Sequence, residues 1–386
     1  MRYQRNYALD LLRGLTIALM IIVNNPGDWK AMFVLLRHAE WHGFLGADIV
    51  FPLFLFIAGY AAALKIDRVY IPLKSSGPHC ASALTLETAE APPFIRPLLR
   101  RASLLFLIGL FLNAWPFGLL PGTSFDLANL RLLGVLQRIA LCVLLGGVIL
   151  RYAKDRRWLI FSVLTIILIY EVCMRLIAVE AGGAVFGRSF ELTDNFARYF
   201  DLAVLPAGML YKVKTMPFDP EGLFTTLTAT ATFLLGGLTY RSKFRKDRWY
   251  LVGVLAVLAL FSLAAEPLNK NLWTPAYVLF TAALGALALS LLETKMPGPG
   301  PGEKSITSVF AEMGKNPLVV YVLSILFGKT LAVWKFSSGL SLKQSAYGFL
   351  TILHLPAQVQ SLLYSLILLV LMMLLARLLR PLPLRI

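Results

Sequence analysis

Between Val23 and Gly59 the chain reads VNNPGDWKAMFVLLRHAEWHGFLGADIVFPLFLFIAG, and this stretch concentrates the polar chemistry of an otherwise apolar sequence. Asn24, Asn25, Asp28, His38, Glu40, Trp41, His42 and Asp48 all fall inside it, between two long hydrophobic runs. An imidazole is neutral near pH 7 and accepts a proton there, so His38 and His42 compete for the role of general base or nucleophile. An amide such as that of Asn24 or Asn25 donates hydrogen bonds to a developing oxyanion or a carbonyl. The combination reads as the floor of an active site at the edge of a membrane span.

Other charged groups interrupt apolar runs, where ionised side chains are costly and face the protein interior. Asp10 and Arg13 stand about one helical turn apart, which fits either an intrahelical pair or a binding role. Arg138, with Gln137 beside it, is expected eight residues into a span and about 12 Å deep at 1.5 Å per residue. At that depth it needs a carboxylate such as Asp48 or Glu221, or else a ligand. Glu171 and Arg175 have i,i+4 spacing and read as a structural pair. Asp219-Pro220-Glu221-Gly222 looks like a helix start: an Asp cap, a proline at the first position and an acid near the positive end of the dipole. Asn316-Pro317 repeats the cap-plus-proline pattern, and a helix N-terminus there could also face an anion.

The elements that position these groups follow from composition. The 386 residues are 58% hydrophobic and 15% charged, and the mean hydropathy is +0.71. Runs long enough to cross a hydrocarbon core recur along the whole length. The chain is expected to be an all-α, polytopic membrane bundle forming one domain over residues 1–386. Ten spans are predicted: 7–24, 45–65, 97–115, 130–150, 157–178, 221–240, 248–265, 272–293, 316–335 and 359–380. The net charge of +16 would suggest nucleic acid in a soluble protein; here the basic residues lie between spans, where topology and anionic lipid account for them.

Arg2, Arg5, Lys65, Arg68, Lys74, Arg96, Arg100, Arg101, the clusters at 151–157 and 241–248, and Arg377, Arg380 and Arg385 all fall on one side of a ten-span arrangement. That predicts cytoplasmic termini, with His38 on the outer side. The connection 67–95 and the linker 296–304 are then cytoplasmic, 180–217 is an outer loop suited to an acceptor-binding lid, and 337–358 is an outer segment with room for a short non-spanning helix. Asp10 and Arg13, with no small-residue cleavage site, argue for a retained first helix rather than a signal peptide. Cys80, Cys142 and Cys173 have neither metal-ligand nor disulfide spacing. Pro26 ends the first span near Asn24. Pro52 cannot donate to the carbonyl of Asp48, so a kink and a freed acceptor are expected there, features tolerated at membrane depth only where they line a cavity or are buried in protein.

RNYALDLLRGLTIALMIIVNNPG followed by RHAEWHGFLGADIVFPLFLFIAG resembles the heparan-α-glucosaminide N-acetyltransferase family, bacterial homologues included. LRLLGVLQRIAL (130–141), FDPEGLFTTL (218–227), NKNLWTPAYVLFTA (269–282) and KNPLVVYVLS (315–324) extend the resemblance in the same order. It implies a transmembrane acetyltransferase of a bacterial inner membrane, moving acetyl from cytoplasmic acetyl-CoA to the amine of a glucosamine-type sugar outside, with a homodimer as the oligomeric expectation. It places the active-site histidine on His38 and the active-site asparagine on Asn24. Asn25, Glu40, Trp41, Asp48, Asp219 and Glu221 become candidates for the acceptor, and Asp10, Arg13, Gln137, Arg138 and Asn316 for the donor. The rival readings are a sugar transporter or channel, since intramembrane charges also mark transport paths, and an O-acetyltransferase of an envelope polysaccharide.

Overall fold

The computed structural model describes residues 6–70, 93–120, 123–153, 155–242, 244–296, 305–336 and 339–378. Its helices are α1 (Tyr7–Asn24), α2 (Val50–Val69), α3 (Ile95–Ala114), α4 (Val135–Tyr152), α5 (Arg156–Leu176), α6 (Phe196–Val204), α7 (Leu223–Arg241), α8 (Arg245–Ala265), α9 (Pro275–Lys295), α10 (Ile306–Met313), α11 (Pro317–Val333), α12 (Leu342–Thr351) and α13 (Ala357–Leu378). Sheet among the described residues is confined to two small antiparallel hairpins, β1 (Ala178–Ala181) with β2 (Ala184–Gly187) and β3 (Lys212–Val213) with β4 (Met216–Pro217).

Each of the ten predicted spans falls on one long helix. Eight of these helices are each long and apolar enough to cross a membrane. The other two are α3, whose first turns carry Arg96, Arg100 and Arg101, and α11, which follows α10 across a bend of 84°. The protein is thus an all-α, multi-pass membrane bundle. The expected short helix in 337–358 is α12. The connection 67–95 and the linker 296–304 lie largely outside the described residues, as do Arg2, Arg5, Lys74, Cys80, Arg380 and Arg385.

Among the boundary shifts, three move chemistry. The second span starts at Val50, after a 3-10 turn over Gly46–Ile49, so Pro52 sits in a first helical turn where its missing N–H costs nothing. The expected mid-span kink is replaced by a helix start. The fourth span begins at Val135 rather than 130, which puts Arg138 in the first turn of α4 instead of at the predicted depth. The sixth begins at Leu223, and its cap is not Asp219: the Asp201 carboxylate of α6 accepts from Leu223 N and Phe224 N at 2.9 and 3.2 Å.

The core is organised around α7, which is buried along nearly its whole length. It carries six threonines, of which Thr226, Thr230 and Thr239 return their hydroxyls to the carbonyl one turn back. This satisfies each hydroxyl inside its own helix, as a low-dielectric interior requires. Small residues let the neighbours approach closely, the usual basis of helix association in lipid. A Cβ on Gly59 of α2 would run into the carbonyl of Phe233, and one on Gly236 of α7 into that of Phe56, so α2 and α7 meet backbone to backbone at two points. A second cluster packs α1, α11 and α13 together. There Gly14 faces the Phe310 carbonyl of α10, and Gly314 faces that of Asp10.

At the bundle end opposite His38, ion pairs join successive connections. Arg241 pairs with Asp67, reaching Oδ1 at 2.8 Å, and also donates to the carbonyls of Leu150 and Ala153. Arg156 meets Asp247 at 2.7 Å. Gly236→Val should lower the melting temperature of the detergent-extracted protein by several degrees or abolish its recovery, because the α2–α7 crossing leaves no room for a branched side chain. Gly253→Val on α8, where a Cβ meets nothing within 4 Å, should leave it unchanged.

Candidate active site

At the head of α2 the Asp48 carboxylate is 1% exposed, and a buried carboxylate must be hydrogen-bonded to be sustained. Oδ2 accepts from Ala39 N at 3.1 Å and Leu45 N at 2.9 Å. Oδ1 lies 2.7 Å from His38 Nδ1. Because an ionised carboxylate only accepts, the imidazole proton is assigned to Nδ1. His38 Nε2 is then left with its lone pair on a side chain that is 40% exposed. An acid holding one ring nitrogen while the other serves as base is the arrangement that orients histidine in acyl transfer. The freed backbone acceptor expected from Pro52 is present and in use: Tyr277 of α9 donates its hydroxyl to the Asp48 carbonyl at 2.6 Å.

Lys270, between α8 and α9, joins this pair. Its Nζ is 3.2 Å from His38 Nδ1 and 3.8 Å from Asp48 Oδ1. Burial pulls its ammonium below the usual lysine range, opposed by the nearby charges of Asp48 and Glu221.

A second cluster adjoins the first at the ends of α4 and α7. Arg131 holds Asp219 through two bonds of 2.9 and 2.6 Å and also pairs with Glu221. Arg138 is fully buried, donates to the Gly222 carbonyl at 3.2 Å and to Thr225, and lies 5.0 Å over the Trp273 ring. Its Nε and Nη1, like Gln137 Nε2, have no hydrogen-bond partner among the described residues. Burying such donors without an acceptor is costly, and the described residues provide none for them.

The loop carrying His38 is fastened to the segment 178–217. Trp41 Nε1 donates to the Phe190 carbonyl at 2.9 Å, His42 Nε2 meets Glu191 at 3.2 Å, and Glu40 pairs with Lys214 at 3.3 Å. His42 Nδ1 is also 3.1 Å from Asn269 Nδ2, so both of its ring nitrogens are engaged. Asn24 ends α1 with its side chain exposed and makes no hydrogen bond to His38 or Asp48. Asn25 turns away to α11 and α13: its carbonyl accepts from Ser365 at 2.9 Å, and its side chain would block a Cβ on Gly328.

The residues assigned to the donor divide between the two ends. Asp10 and Arg13 pair at 3.1 Å, and Arg13 also donates to the Gly314 carbonyl at the α10–α11 break. Asn316 precedes Pro317 there without a side-chain cap. Gln137 and Arg138 instead lie at the His38 end. Arg138 bonds neither Asp48 nor Glu221, the partners its supposed depth suggested. Glu171 and Arg175 form their expected pair. Arg131, Asp201, Tyr277 and Lys270 were not singled out by the sequence. The last two sit within NKNLWTPAY, a stretch that carries part of the family resemblance and clusters polar residues ahead of a span.

These features define a multi-pass helical membrane protein that presents a carboxylate-held imidazole at one end of its spans. Residues 5–205 match the family described as "Heparan-alpha-glucosaminide N-acetyltransferase, catalytic", and the chain belongs to that family. It is 25% identical to the human heparan-alpha-glucosaminide N-acetyltransferase over 390 residues, 87% of this chain and 55% of that protein. Identity to the mouse protein of the same name is also 25%, covering 81% of this chain and 52% of the relative. The chain therefore spans about half the length of the curated relatives it matches.

Asp201 gives this end of the bundle a pH dependence. Burial raises its carboxyl from 3.8 to about 7. Between those values the folded protein binds a proton that the unfolded chain has released, so stability falls as pH rises through this window. Melting temperatures measured from about pH 4 to about pH 7 should show that decline, and Asp201→Asn should flatten it.

Proposed function

We propose that the chain is a transmembrane N-acetyltransferase that takes acetyl from acetyl-CoA and delivers it to the amine of a glucosamine-type sugar. The observation that carries this reading is the 2.7 Å contact between His38 Nδ1 and Asp48, which leaves Nε2 as an accessible base. In a direct transfer, Nε2 removes the proton of the attacking amine as the N–C bond forms. The C–S bond then breaks, and the same proton passes to the departing thiolate. In a two-step route Nε2 itself attacks the thioester, the C–S bond breaks and CoA leaves as the thiolate; the amine then attacks the acetyl-imidazole, the Nε2–C bond breaks, and the amine proton passes to the freed Nε2 and on to the thiolate. Both routes need Nδ1–H held by Asp48. The open donors of Arg138 and Gln137 suit acceptor oxygens of a bound substrate, and the exposed apolar faces of α5 and α8 suit lipid.

The sidedness follows the cationic connections. With Arg151, Arg156, Arg157, Arg241 and Arg245 in the cytoplasm of a bacterium, the His38 end faces the periplasm. Acetyl-CoA is made in the cytoplasm and its charged nucleotide cannot cross hydrocarbon, so the donor enters from that side and only its slender arm approaches His38. Reporter fusions at residues 155 and 245 should read cytoplasmic and those at 195 and 345 periplasmic; one reversed signal overturns the orientation.

The decisive measurement of activity is acetyl-CoA-dependent release of free thiol by the purified protein, with glucosamine compared against neutral sugars. His38→Ala should reduce turnover by about 10²–10⁴-fold while donor binding persists. Retention of more than about a tenth of turnover would remove His38 from the chemistry. A preference for neutral sugars would point to hydroxyl acetylation, and no release at all to transport.

A further inference from the structure

We infer that Lys270 is a positioning residue of the transfer: its ammonium shares Asp48 with His38 and keeps the imidazole from retaining a proton. The inference rests on the reading of His38 as the proton carrier. Three atoms form a tight triangle, with His38 Nδ1 2.7 Å from Asp48 Oδ1, Lys270 Nζ 3.2 Å from Nδ1, and Nζ 3.8 Å from Oδ1. Nδ1 cannot serve both neighbours. The carboxylate oxygen is an acceptor only, so Nδ1 carries the proton, and the lysine then faces an N–H without a hydrogen bond between them. The contact is tolerable while the ring is neutral and unfavourable once it becomes imidazolium.

Asp48 alone would favour imidazolium and trap it, because an opposite charge within a few ångströms stabilises the charged form. The Lys270 ammonium offsets that carboxylate and repels a second positive charge. The other charges in reach of Lys270 are Glu221 before α7 and Arg138 on α4. Glu221 is already tied to Arg131, and His42 is held by Glu191 and Asn269 on the far side of the loop. Of the charged groups near Lys270, Asp48 alone also touches the imidazole, and Lys270 is the cation in contact with it. During transfer the amine proton reaches Nε2 and must leave again for the thiolate. The ammonium at Nδ1 makes the imidazolium a stronger acid toward the sulfur, without itself exchanging a proton or forming a bond.

Carbethoxylation by diethyl pyrocarbonate, which attacks only neutral imidazole, reads this without relying on turnover. The protein in detergent is treated across a pH series and modification at His38 is quantified by peptide mass spectrometry. In Lys270→Met the profile should move to higher pH, with modification about tenfold slower on its acidic side, the loss expected for removing a like charge at this distance. Lys270→Arg should keep the original profile. The acidic limb of kcat/KM should move with the Met variant and stay with the Arg variant. Should the Met variant not be recovered as a monodisperse species, Lys270→Gln takes its place under the same criteria. An unmoved His38 profile in the neutral variant overturns the inference, whatever His38→Ala does to turnover. A moved profile with an unmoved kcat/KM limb upholds the control of His38 by Lys270 and overturns instead the role of His38 as proton carrier.

Discussion

The site depends on one buried carboxylate. Asp48 lies where a loop becomes a membrane helix, and its ionised group is sustained only because neighbouring chain is drawn in to hydrogen-bond it. Two backbone amides fold residues 39–45 around it, an imidazole closes on one oxygen, and a tyrosine from α9 takes the carbonyl that Pro52 leaves open. The same contacts that make the ion tolerable therefore fix the orientation of His38. Replacing the carboxylate by an apolar group would relieve the burial cost and leave the loop without a reason for its course.

Behind this group the bundle keeps its polarity internal. The threonines of α7 spend their hydroxyls on their own helix or on neighbouring side chains, as where Thr232 accepts from Trp273 at 3.0 Å. Full charges are displaced to the two ends. At the His38 end the acids are matched unevenly: Arg131 neutralises Asp219 and Glu221, whereas Arg138 is left with an open edge against aromatic rings. Dipoles and cations fixed before a reaction begins need no reorganisation during it, which is where protein electrostatics contributes most to acyl transfer.

The helical plan was legible because eight of the spans are long and apolar enough to cross a membrane, and the freed carbonyl at Asp48 was legible because proline has no N–H to offer it. Boundaries were less so, and the error mattered: a start assigned at residue 130 rather than Val135 turned a helix-end arginine into a deep one. Pairings were least legible. Asp48 reaches His38 across ten residues through a 3-10 turn, Asp201 caps a helix from a different segment, and Lys270 arrives from a loop more than two hundred residues away. None of these has a periodicity to betray it. Only the folded chain places them side by side.

The double glycine crossing of α2 and α7 has a mechanical consequence. Two helices in backbone contact at Gly59 and Gly236 cannot slide or separate by small steps without losing contact over much of their length, so they behave as one strut. The cluster of α1, α11 and α13 packs against the head of that strut at Ala47 and Val50, the residues that flank Asp48 and Ile49. The carboxylate that holds His38 thus stands where a stiff pair of helices meets a separately packed one.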